Sequence, residues 1–308
     1  MSDLLPRYRA FLAVADKKSI SAAAKLLEVT QPAVSMEIST LESELGVKFF
    51  MRSNRGVSLT EEGEVLYEYA KKGMSFLEAG EDKMREMSGL QFGRLRIGAS
   101  DMTLMFFLLE HIVSFREQYE GVNISVTNAP TPSTIEALRS GAIDFGVVSE
   151  PFVGCDCTDI DFVPVKEIND IFIAHPTCPL SRESKITKKQ LSQYRINMLE
   201  NNTSTRKYVS SWLGVNFPEP SIELATSELL VRFTEQGLGI SSVVEDFARE
   251  AIREGRVVKL DMAEKIPPRK FYIAYLRKMP MSYAARVMLD IIFETVDRRV
   301  VRGGMRHG

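Results

Sequence analysis

The sequence predicts an all-α N-terminal head, a long helix and a C-terminal α/β body. The head is predicted from apolar residues that recur at helical spacing between residues 4 and 45, with capping residues between the segments. The long helix is predicted from residues 60–87, where no strong breaker interrupts the pattern. From residue 93 onward, short β-prone segments alternate with helical ones, which favours parallel α/β sheets.

Composition places the chain among ordinary globular proteins of about two or three domains. Its hydrophobic content is 44% and its charged content is 26%. The N-terminus shows no apolar segment typical of a signal peptide, and no run reaches the roughly 18 apolar residues that span a bilayer. We therefore expect a cytoplasmic protein with no membrane partner.

The charge is distributed unevenly between head and body. Residues 1–60 contain eight Lys or Arg and six Asp or Glu, a net charge of +2 in a chain whose total is -2. This mild asymmetry favours a nucleic-acid partner for the head.

The three cysteines are Cys155, Cys157 and Cys178, and in the cytoplasm we expect them to be reduced. A metal or redox site is the alternative, because Cys178 lies near His175 in the sequence. Zinc needs four well-placed ligands, however, so no metal site is predicted.

Residues 30–46 predict a helix with one apolar face and one small polar face. Thr30 is placed to cap it, Pro32 falls in the first turn, where a missing N–H is harmless, and Gly46 is placed to end it. The apolar face holds Val34, Ile38, Leu41 and Leu45, and the opposite face holds Pro32, Ser35, Met36, Ser39 and Ser43. A small, nearly uncharged face of this kind can lie close against base edges in a DNA groove.

Two further features follow this helix. Residues 49–60 predict a hairpin-like wing around Asn54, Arg55 and Gly56, with Arg52 and Arg55 placed to meet phosphates. The long helix after Thr60 carries a packing seam of Leu66, Tyr69, Gly73, Phe76, Gly80, Met84 and Met87. Because a monomer would leave this seam in water, we expect the helix to dimerise.

In the body, the sequence predicts strands that alternate with helices. The predicted strands are residues 94–99, 122–127, 143–148, 170–174, 195–199, 221–225, 240–244, 256–260 and 271–276. The predicted helices are residues 105–119, 133–140, 203–213, 227–236 and 245–254.

In combination, these motifs resemble the signature of LysR-type transcriptional regulators. The likeness is carried by the run from Thr30 to Gly46, by Phe11, Ala23, Ala24 and Leu27 before it, and by Phe50-Met51-Arg52 and Leu59-Thr60-Glu61-Glu62-Gly63 after it. Length, helix order and the α/β body agree as well, so the resemblance covers essentially the whole chain.

The resemblance implies a fold, a function and a set of partners. The fold is an N-terminal all-α winged helix-turn-helix (residues 1–60), a linker and dimerisation helix (61–92), and an effector-binding α/β body (93–308). The body has two Rossmann-like subdomains, 93–163 with 267–299 and 164–266, like those of type 2 periplasmic binding proteins. The implied partners are double-stranded promoter DNA, RNA polymerase, a small-molecule effector and further copies of the chain, as homodimers or homotetramers.

The DNA-binding residues carried over from the family are Gln31, Pro32, Ser35, Met36, Ser39, Arg52 and Arg55. One departure is that many relatives have Arg or Lys near positions 36 and 37, where this chain has Met36 and Glu37. Met36 is expected to contact a thymine methyl group instead. Phosphate affinity is then expected from Lys25, Arg52, Arg55 and helix N-termini.

The effector of the family contacts loops at strand ends. The corresponding residues here are Ser100, Asp101, Met102, Thr103, Asn128, Thr131, Ser149, Asn202, Thr203, Ser204 and Thr226. Hydroxyl and amide groups beside helix N-termini suit a small carboxylate or another anion, and no cofactor is predicted. Asp101 would repel an anion, however, and favours an amine. The alternative is that each of these residues merely caps a helix.

Two other classes of protein are less compatible with the sequence. An enzyme needs a catalytic set, yet His111, His175 and His307 are scattered and no G-x-S-x-G, H-E-x-x-H, P-loop or dinucleotide motif is found, so no catalytic residue is predicted. A transport binding protein would explain the body, but it requires export and has no use for a wing and a linker helix. We therefore predict an effector-controlled DNA-binding regulator.

Overall fold

The computed structural model describes residues 4–53, 56–87, 93–152, 157–277, 279 and 281–304. The chain forms two compact units, one of residues 1–81 with 139–142 and one of residues 82–138 with 143–308. The first unit contains the head and most of the long helix, and the second contains nearly all of the α/β body. None of the helices in these ranges combines the length and apolarity that a membrane span requires.

The head is a helical domain with a two-stranded wing. Its elements are α1 (Leu4–Lys17), α2 (Ile20–Leu26), α3 (Gln31–Leu45), β1 (Phe50–Ser53), β2 (Gly56–Leu59) and α4 (Glu61–Met87). Thr30 caps α3 by accepting a hydrogen bond from the Ala33 N–H, and Gly46 ends α3 with a φ of 70°. β1 and β2 pair antiparallel, so the predicted hairpin is confirmed.

The core of the head explains how α3 is held. Val34, Ile38 and Leu41 are buried as predicted, but Leu45 is exposed, because the last turn of α3 extends beyond the packed helices. Sequence reasoning missed Glu42, which is also buried on α3. Its carboxylate accepts a hydrogen bond from the Phe49 N–H at 2.9 Å and thereby ties α3 to the start of the wing.

The long helix α4 has two apolar faces that contact different surroundings. Leu66 packs into the head beside the aromatic ring of Phe11, so its predicted place in the exposed seam is wrong. The other predicted members Tyr69, Phe76 and Met84 are exposed in the single chain. Head packing therefore uses one side of α4 and leaves the seam on another side uncovered.

The body elements follow the predicted alternation. They are β3 (Gly93–Ala99), α5 (Asp101–Thr103), α6 (Leu109–Gln118), β4 (Val122–Asn128), α7 (Thr131–Arg139), β5 (Phe145–Ser149), β6 (Ile160–Ile168), β7 (Asp170–Ala174), α8 (Lys188–Leu191), β8 (Ile196–Leu199), α9 (Ser204–Leu213), β9 (Ile222–Leu224), α10 (Ser227–Glu235), β10 (Ile240–Val244), α11 (Glu245–Arg253), β11 (Val258–Lys259), β12 (Arg269–Leu276) and α12 (Tyr283–Gly304). A π-helical turn, Leu104–Leu108, joins α5 to α6.

These elements form two sheets with helices packed on both faces. The first lobe is the sheet β4-β3-β5-β12-β6 with its helices, and the second lobe is the sheet β11-β7-β10-β8-β9 with its helices. In the first lobe, Phe115 of α6 and Leu138 of α7 pack into two different hydrophobic clusters, one on each face of the sheet. In the second lobe, Val209 of α9 and Leu230 of α10 are separated in the same way. Each lobe is thus a three-layer α/β unit, as predicted.

The predicted parallel α/β sheets are found, except that one strand in each sheet runs antiparallel to its neighbours. β3 is parallel to β4 and β5, and β8 is parallel to β9 and β10. β12, however, is antiparallel to β5 and β6, and β7 is antiparallel to β10 and β11. β7 and β12 are the strands that carry the chain from one lobe to the other. Because each enters its sheet from the edge where the parallel strands end, it must run in the opposite direction.

β6 and α12 of the first lobe were not predicted, and neither was the short helix α5. β6 contains Pro164 and lies at the edge of its sheet, where a proline is tolerated. Because β6 continues to Ile168, the lobes meet five residues later than the predicted boundary before Pro164. α12 carries a clear signal that was overlooked, since Ala285, Met288 and Ile292 are buried at helical spacing.

The cysteines differ from expectation. Cys157 is disulfide-bonded, whereas Cys178 is a free thiol, and Cys155 lies outside the described residues. The reduced state predicted for all three is therefore wrong for Cys157, because that prediction rested on the expected compartment and not on which sulfur atoms the fold brings together. Among the described residues, no cluster of His, Cys, Asp and Glu side chains is arranged to hold a metal ion.

A buried ion pair joins the two crossings between the lobes. Asp170 is the first residue of β7 and Arg269 is the first of β12, and both side chains are fully buried. The Arg269 guanidinium donates to both carboxylate oxygens, at 2.5 and 2.9 Å. It also donates to the Thr205 hydroxyl at 2.7 Å and to the Glu150 carbonyl oxygen at 3.2 Å. One side chain thus contacts both lobes and both crossings.

We expect Arg269→Gln to destabilise the body strongly, because it leaves the Asp170 carboxylate buried without its counter-charge. Removing one partner of a buried pair typically costs about 3–5 kcal/mol. The measurement is urea unfolding at a fixed protein concentration. The control is Arg277→Gln, in the turn directly after β12, because the Arg277 bridge to Asp161 is largely exposed and its loss is expected to have a much smaller effect. Equal destabilisation by the two substitutions would contradict the role given to the buried pair.

Candidate functional site

The outer face of α3 is available for contact with another molecule. Gln31, Pro32, Met36 and Ser39 are exposed, and Ser35 is half-buried. These are the α3 residues that the sequence predicts to contact DNA, and the fold presents them on one helix.

The Glu37 carboxylate shares a single arginine of α1 with the carboxylate of Glu44. The Arg7 guanidinium of α1 lies 3.6 Å from the Glu37 carboxylate and 2.5 Å from that of Glu44. Glu37 therefore places a paired carboxylate beside the predicted DNA face.

The wing is positioned by β1 and β2, which pair up to Ser53 and Gly56. Arg52 lies in β1 opposite Val57, and its side chain is outside the described residues, as is the whole of Arg55. Their phosphate contacts stay predictions.

A second candidate site is a cavity of about 280 Å³ between the two lobes. It lies where β3, β4, β5, β8 and β9 end, which is the edge where ligands bind in open α/β sheets. Its lining residues are Ser100, Asp101, Met102, Asn128, Ala129, Pro130, Thr131, Ser149, Leu199, Glu200, Asn202, Thr203, Ser204, Thr205, Ala225, Thr226, Ser227 and Phe247.

The fold brings ten of the eleven predicted effector residues to this cavity; the exception is Thr103. Thr103 is fully buried, and its hydroxyl accepts a hydrogen bond from the Ser100 N–H at 2.9 Å in a capping box. The predicted effector contact of Thr103 is therefore not supported by its position. Sequence reasoning in turn missed Glu200, Thr205 and Phe247, whose places depend on how the lobes meet.

Several hydroxyl groups of the cavity are occupied by local hydrogen bonds. Thr203 caps α9 by accepting from the Arg206 N–H at 3.2 Å, and Thr226 caps α10 by accepting from the Leu229 N–H at 3.4 Å. These two threonines therefore cap helices, and they also line the cavity. The Thr131 hydroxyl is likewise engaged by the backbone of Ser149.

Three serine hydroxyls of the cavity are different. Ser149, Ser204 and Ser227 are only 4, 6 and 5% exposed, and each lines the cavity. Within the described ranges, none of the three hydroxyls hydrogen-bonds to another protein group. Because these oxygen atoms are reached by solvent in the cavity, a polar ligand can hydrogen-bond to them in place of water.

The cavity also borders the buried Asp170–Arg269 ion pair. Thr205 lines the cavity and accepts a hydrogen bond from Arg269, and nearby Tyr208 donates to the Pro267 carbonyl oxygen at 3.0 Å. Burial, and next the negative charge of Asp170, raise the pKa of the Tyr208 hydroxyl, so it remains protonated and able to donate.

A helix-turn-helix head with a wing, joined to a two-lobed body with a polar cleft, defines a ligand-responsive DNA-binding regulator. Family models match at both ends, as "Bacterial regulatory helix-turn-helix protein, lysR family" over residues 5–64 and "LysR substrate binding domain" over residues 88–297. The chain belongs to the LysR family of bacterial transcriptional regulators. This assignment agrees with the prediction of a regulator and not an enzyme.

Two similar proteins match nearly the whole chain, and a third matches about two thirds of it. The transcriptional activator CmpR of Synechocystis sp. is 29% identical over 293 residues, which cover 94% of each chain. Full-length OxyR of Pseudomonas aeruginosa has the same fold, with a TM-score of 0.73 at 22% identity over 95% of each chain. The Synechocystis CcmR regulatory domain in complex with 2-PG has a TM-score of 0.59 at 22% identity, covering 66% of this chain and 97% of that one.

Proposed function

We propose that a small molecule bound between the two lobes controls how this regulator binds its operator or activates transcription. The observation that carries the proposal is the set of three serine hydroxyls, on Ser149, Ser204 and Ser227, that line the cavity and have no protein partner among the described residues. They come from both lobes, so a ligand that satisfies them contacts both sides of the cleft.

The polar groups of the cavity favour a ligand with an anionic group. α7, α9 and α10 begin at the cavity, and helix N-termini present free N–H groups and a positive dipole end. That the CcmR regulatory domain binds 2-PG supports a small molecule in the corresponding part of the fold. The proposed effector residues are those of the sequence prediction without Thr103.

The effect of the ligand on DNA binding follows from thermodynamic linkage. A ligand changes an equilibrium between two arrangements of the lobes only if it binds one more tightly than the other. Because the proposed contacts lie on both lobes, affinity depends on their separation. A coupling of about 1–3 kcal/mol is ordinary for such a system. The regulator then acts in the cytoplasm on promoter DNA, with RNA polymerase as a further partner.

We expect Ser204→Ala and Ser227→Ala to weaken the response to effector while leaving operator binding without ligand unchanged, because neither hydroxyl contributes to the fold. The measurement is a gel shift with a metabolite that alters wild-type binding. The control is Thr187→Ala, which removes the cap of α8 outside the cavity lining and is expected to cost about 1 kcal/mol of stability without changing the response. An unchanged response in both serine variants would exclude this cavity as the effector site.

For DNA, the proposed contacts are the exposed α3 residues, Ser35 and the two wing arginines. We expect Arg52→Ala to weaken binding to all sequences and to lower the slope of log K against log salt by about 0.9, which corresponds to one phosphate contact. The measurement is fluorescence anisotropy at several salt concentrations, with Arg253→Ala on α11 of the body as the control. A slope that stays unchanged in Arg52→Ala would contradict the wing assignment.

We propose that the exposed seam of α4 pairs with a second copy of the chain. The proposed domains are residues 1–60, 61–92 and 93–308, and α4 forms most of the second. We expect Phe76→Asp to dissociate this pairing, because it buries a charge in an apolar contact. The control is Val215→Asp, since Val215 is also apolar but fully exposed outside the seam. Light scattering that gave a monomer for the unmutated protein would refute the pairing.

A further inference from the structure

We propose that the effector is a zwitterion of amino-acid size, with its ammonium group at Asp101 and its anionic group at the N-termini of α9 and α10. This inference rests on the proposed function, and it narrows the ligand of the same cavity. It follows from three features: the charges of the lining residues, the pairing of the neighbouring arginines and the distribution of polar groups between the lobes.

The ionisable side chains that line the cavity are acidic. They are Asp101 and Glu200, and the lining set contains no Lys, Arg or His. Among the described residues, neither carboxylate has a cation within ion-pair distance. The side-chain partner of Asp101 is the neutral amide of Asn128, which donates a hydrogen bond to its carboxylate. A ligand that carried only negative charge would therefore meet a carboxylate whose charge is not compensated.

The arginines nearest to the cavity do not offset this charge. Arg206, in the first turn of α9, is buried and pairs with Glu223 at 2.6 Å and Glu219 at 3.1 Å. Arg269 reaches the cavity residue Thr205, but its charge is balanced by Asp170. Both guanidinium groups are thus neutralised by acids outside the cavity lining, and the dipoles of helix N-termini remain the source of positive potential within it.

The two kinds of polar group lie on different lobes. Asp101 and its partner Asn128 follow β3 and end β4 in the first lobe. Ser204 and Ser227 begin α9 and α10 in the second lobe, both residues are largely buried, and their hydroxyls are without protein partners in the described structure. Helices of nine or ten residues are long enough to present an N-terminal dipole. An anionic group is favoured at the second lobe and a cationic one at the first.

The size and apolar lining of the cavity restrict the rest of the ligand. A volume of about 280 Å³ is at the lower end for small-molecule sites. The side chains of Met102, Leu199 and Phe247 add apolar surface to the lining. This combination fits a small metabolite with one ammonium group, one carboxylate and an apolar side chain, which is the chemistry of a neutral α-amino acid.

The test compares ligands that differ in one charged group, using the full-length protein. Isothermal titration calorimetry would first be run with each neutral proteinogenic L-amino acid, and then with the α-hydroxy acid that corresponds to the tightest binder. We expect at least one amino acid to bind, and its hydroxy acid to bind at least tenfold more weakly. The inference is overturned if no amino acid of the panel binds, or if the hydroxy acid binds equally well.

Substitutions at Asp101 connect that preference to the residue. We expect Asp101→Asn to abolish the preference for the amino acid over its hydroxy acid, and Asp101→Glu to retain it, because Glu keeps the charge. The control is Asp290→Asn on α12, which removes an exposed carboxylate outside the cavity lining. A preference that persists in Asp101→Asn would overturn the inference, provided that thermal unfolding shows the variant to be folded.

Failure of this inference is distinguishable from failure of the proposed function. If 2-PG or a hydroxy acid binds instead, and Ser204→Ala weakens that binding, the cavity is the effector site and the zwitterion is wrong. If a ligand binds with an affinity that neither Ser204→Ala nor Ser227→Ala changes, both proposals are wrong.

Discussion

Both strands that carry the chain between the lobes begin with a charged residue, and these two residues, Asp170 and Arg269, form a fully buried ion pair. Burying two charges is costly unless their geometry is good and their remaining hydrogen-bonding groups are satisfied. Here the guanidinium binds the carboxylate through two nitrogens, and its other donors reach Thr205 and the Glu150 carbonyl oxygen. Thr205 lines the cavity and Glu150 follows a residue that does. The ion pair therefore fixes the crossings and the walls of the cleft together.

The direction of the strands follows from the same arrangement. Parallel strands of both lobes end at the cleft, so their following helices begin there and expose N–H groups to it. The crossing strands must leave from that edge, which explains why β7 and β12 are antiparallel to their neighbours. The cleft is polar as a consequence of topology, before any particular side chain is considered. Side chains then decide which polar ligand is preferred.

The sequence was sufficient where the determining contacts are local. The cap at Thr30 was predicted, and capping was the stated alternative for Thr203 and Thr226, because a capping hydroxyl bonds a backbone N–H three residues away. The buried role of Arg269 could not be predicted, because its partner is 99 residues distant. The strand ends predicted ten residues that line the cavity, whereas the positions of Thr103, Glu200 and Phe247 depend on packing between helix and sheet or between lobes.

The lobes also touch at contacts that a ligand does not make. Lys166 of β6 lies 3.3 Å from the Asp246 carboxylate of α11, and the Phe106 ring packs edge-on against Phe247, with centroids 4.6 Å apart. Since Phe247 lines the cavity, it can contact both Phe106 and the proposed ligand. The separation of the lobes is thus fixed at one place by the Asp170–Arg269 ion pair. At another place it is fixed by the two contacts just described, at Lys166 and Phe247. A small molecule then needs only to add a differential contact energy of about 1–3 kcal/mol to favour one separation over another. Such a balance suits a ligand that fits a small cavity and makes few polar contacts.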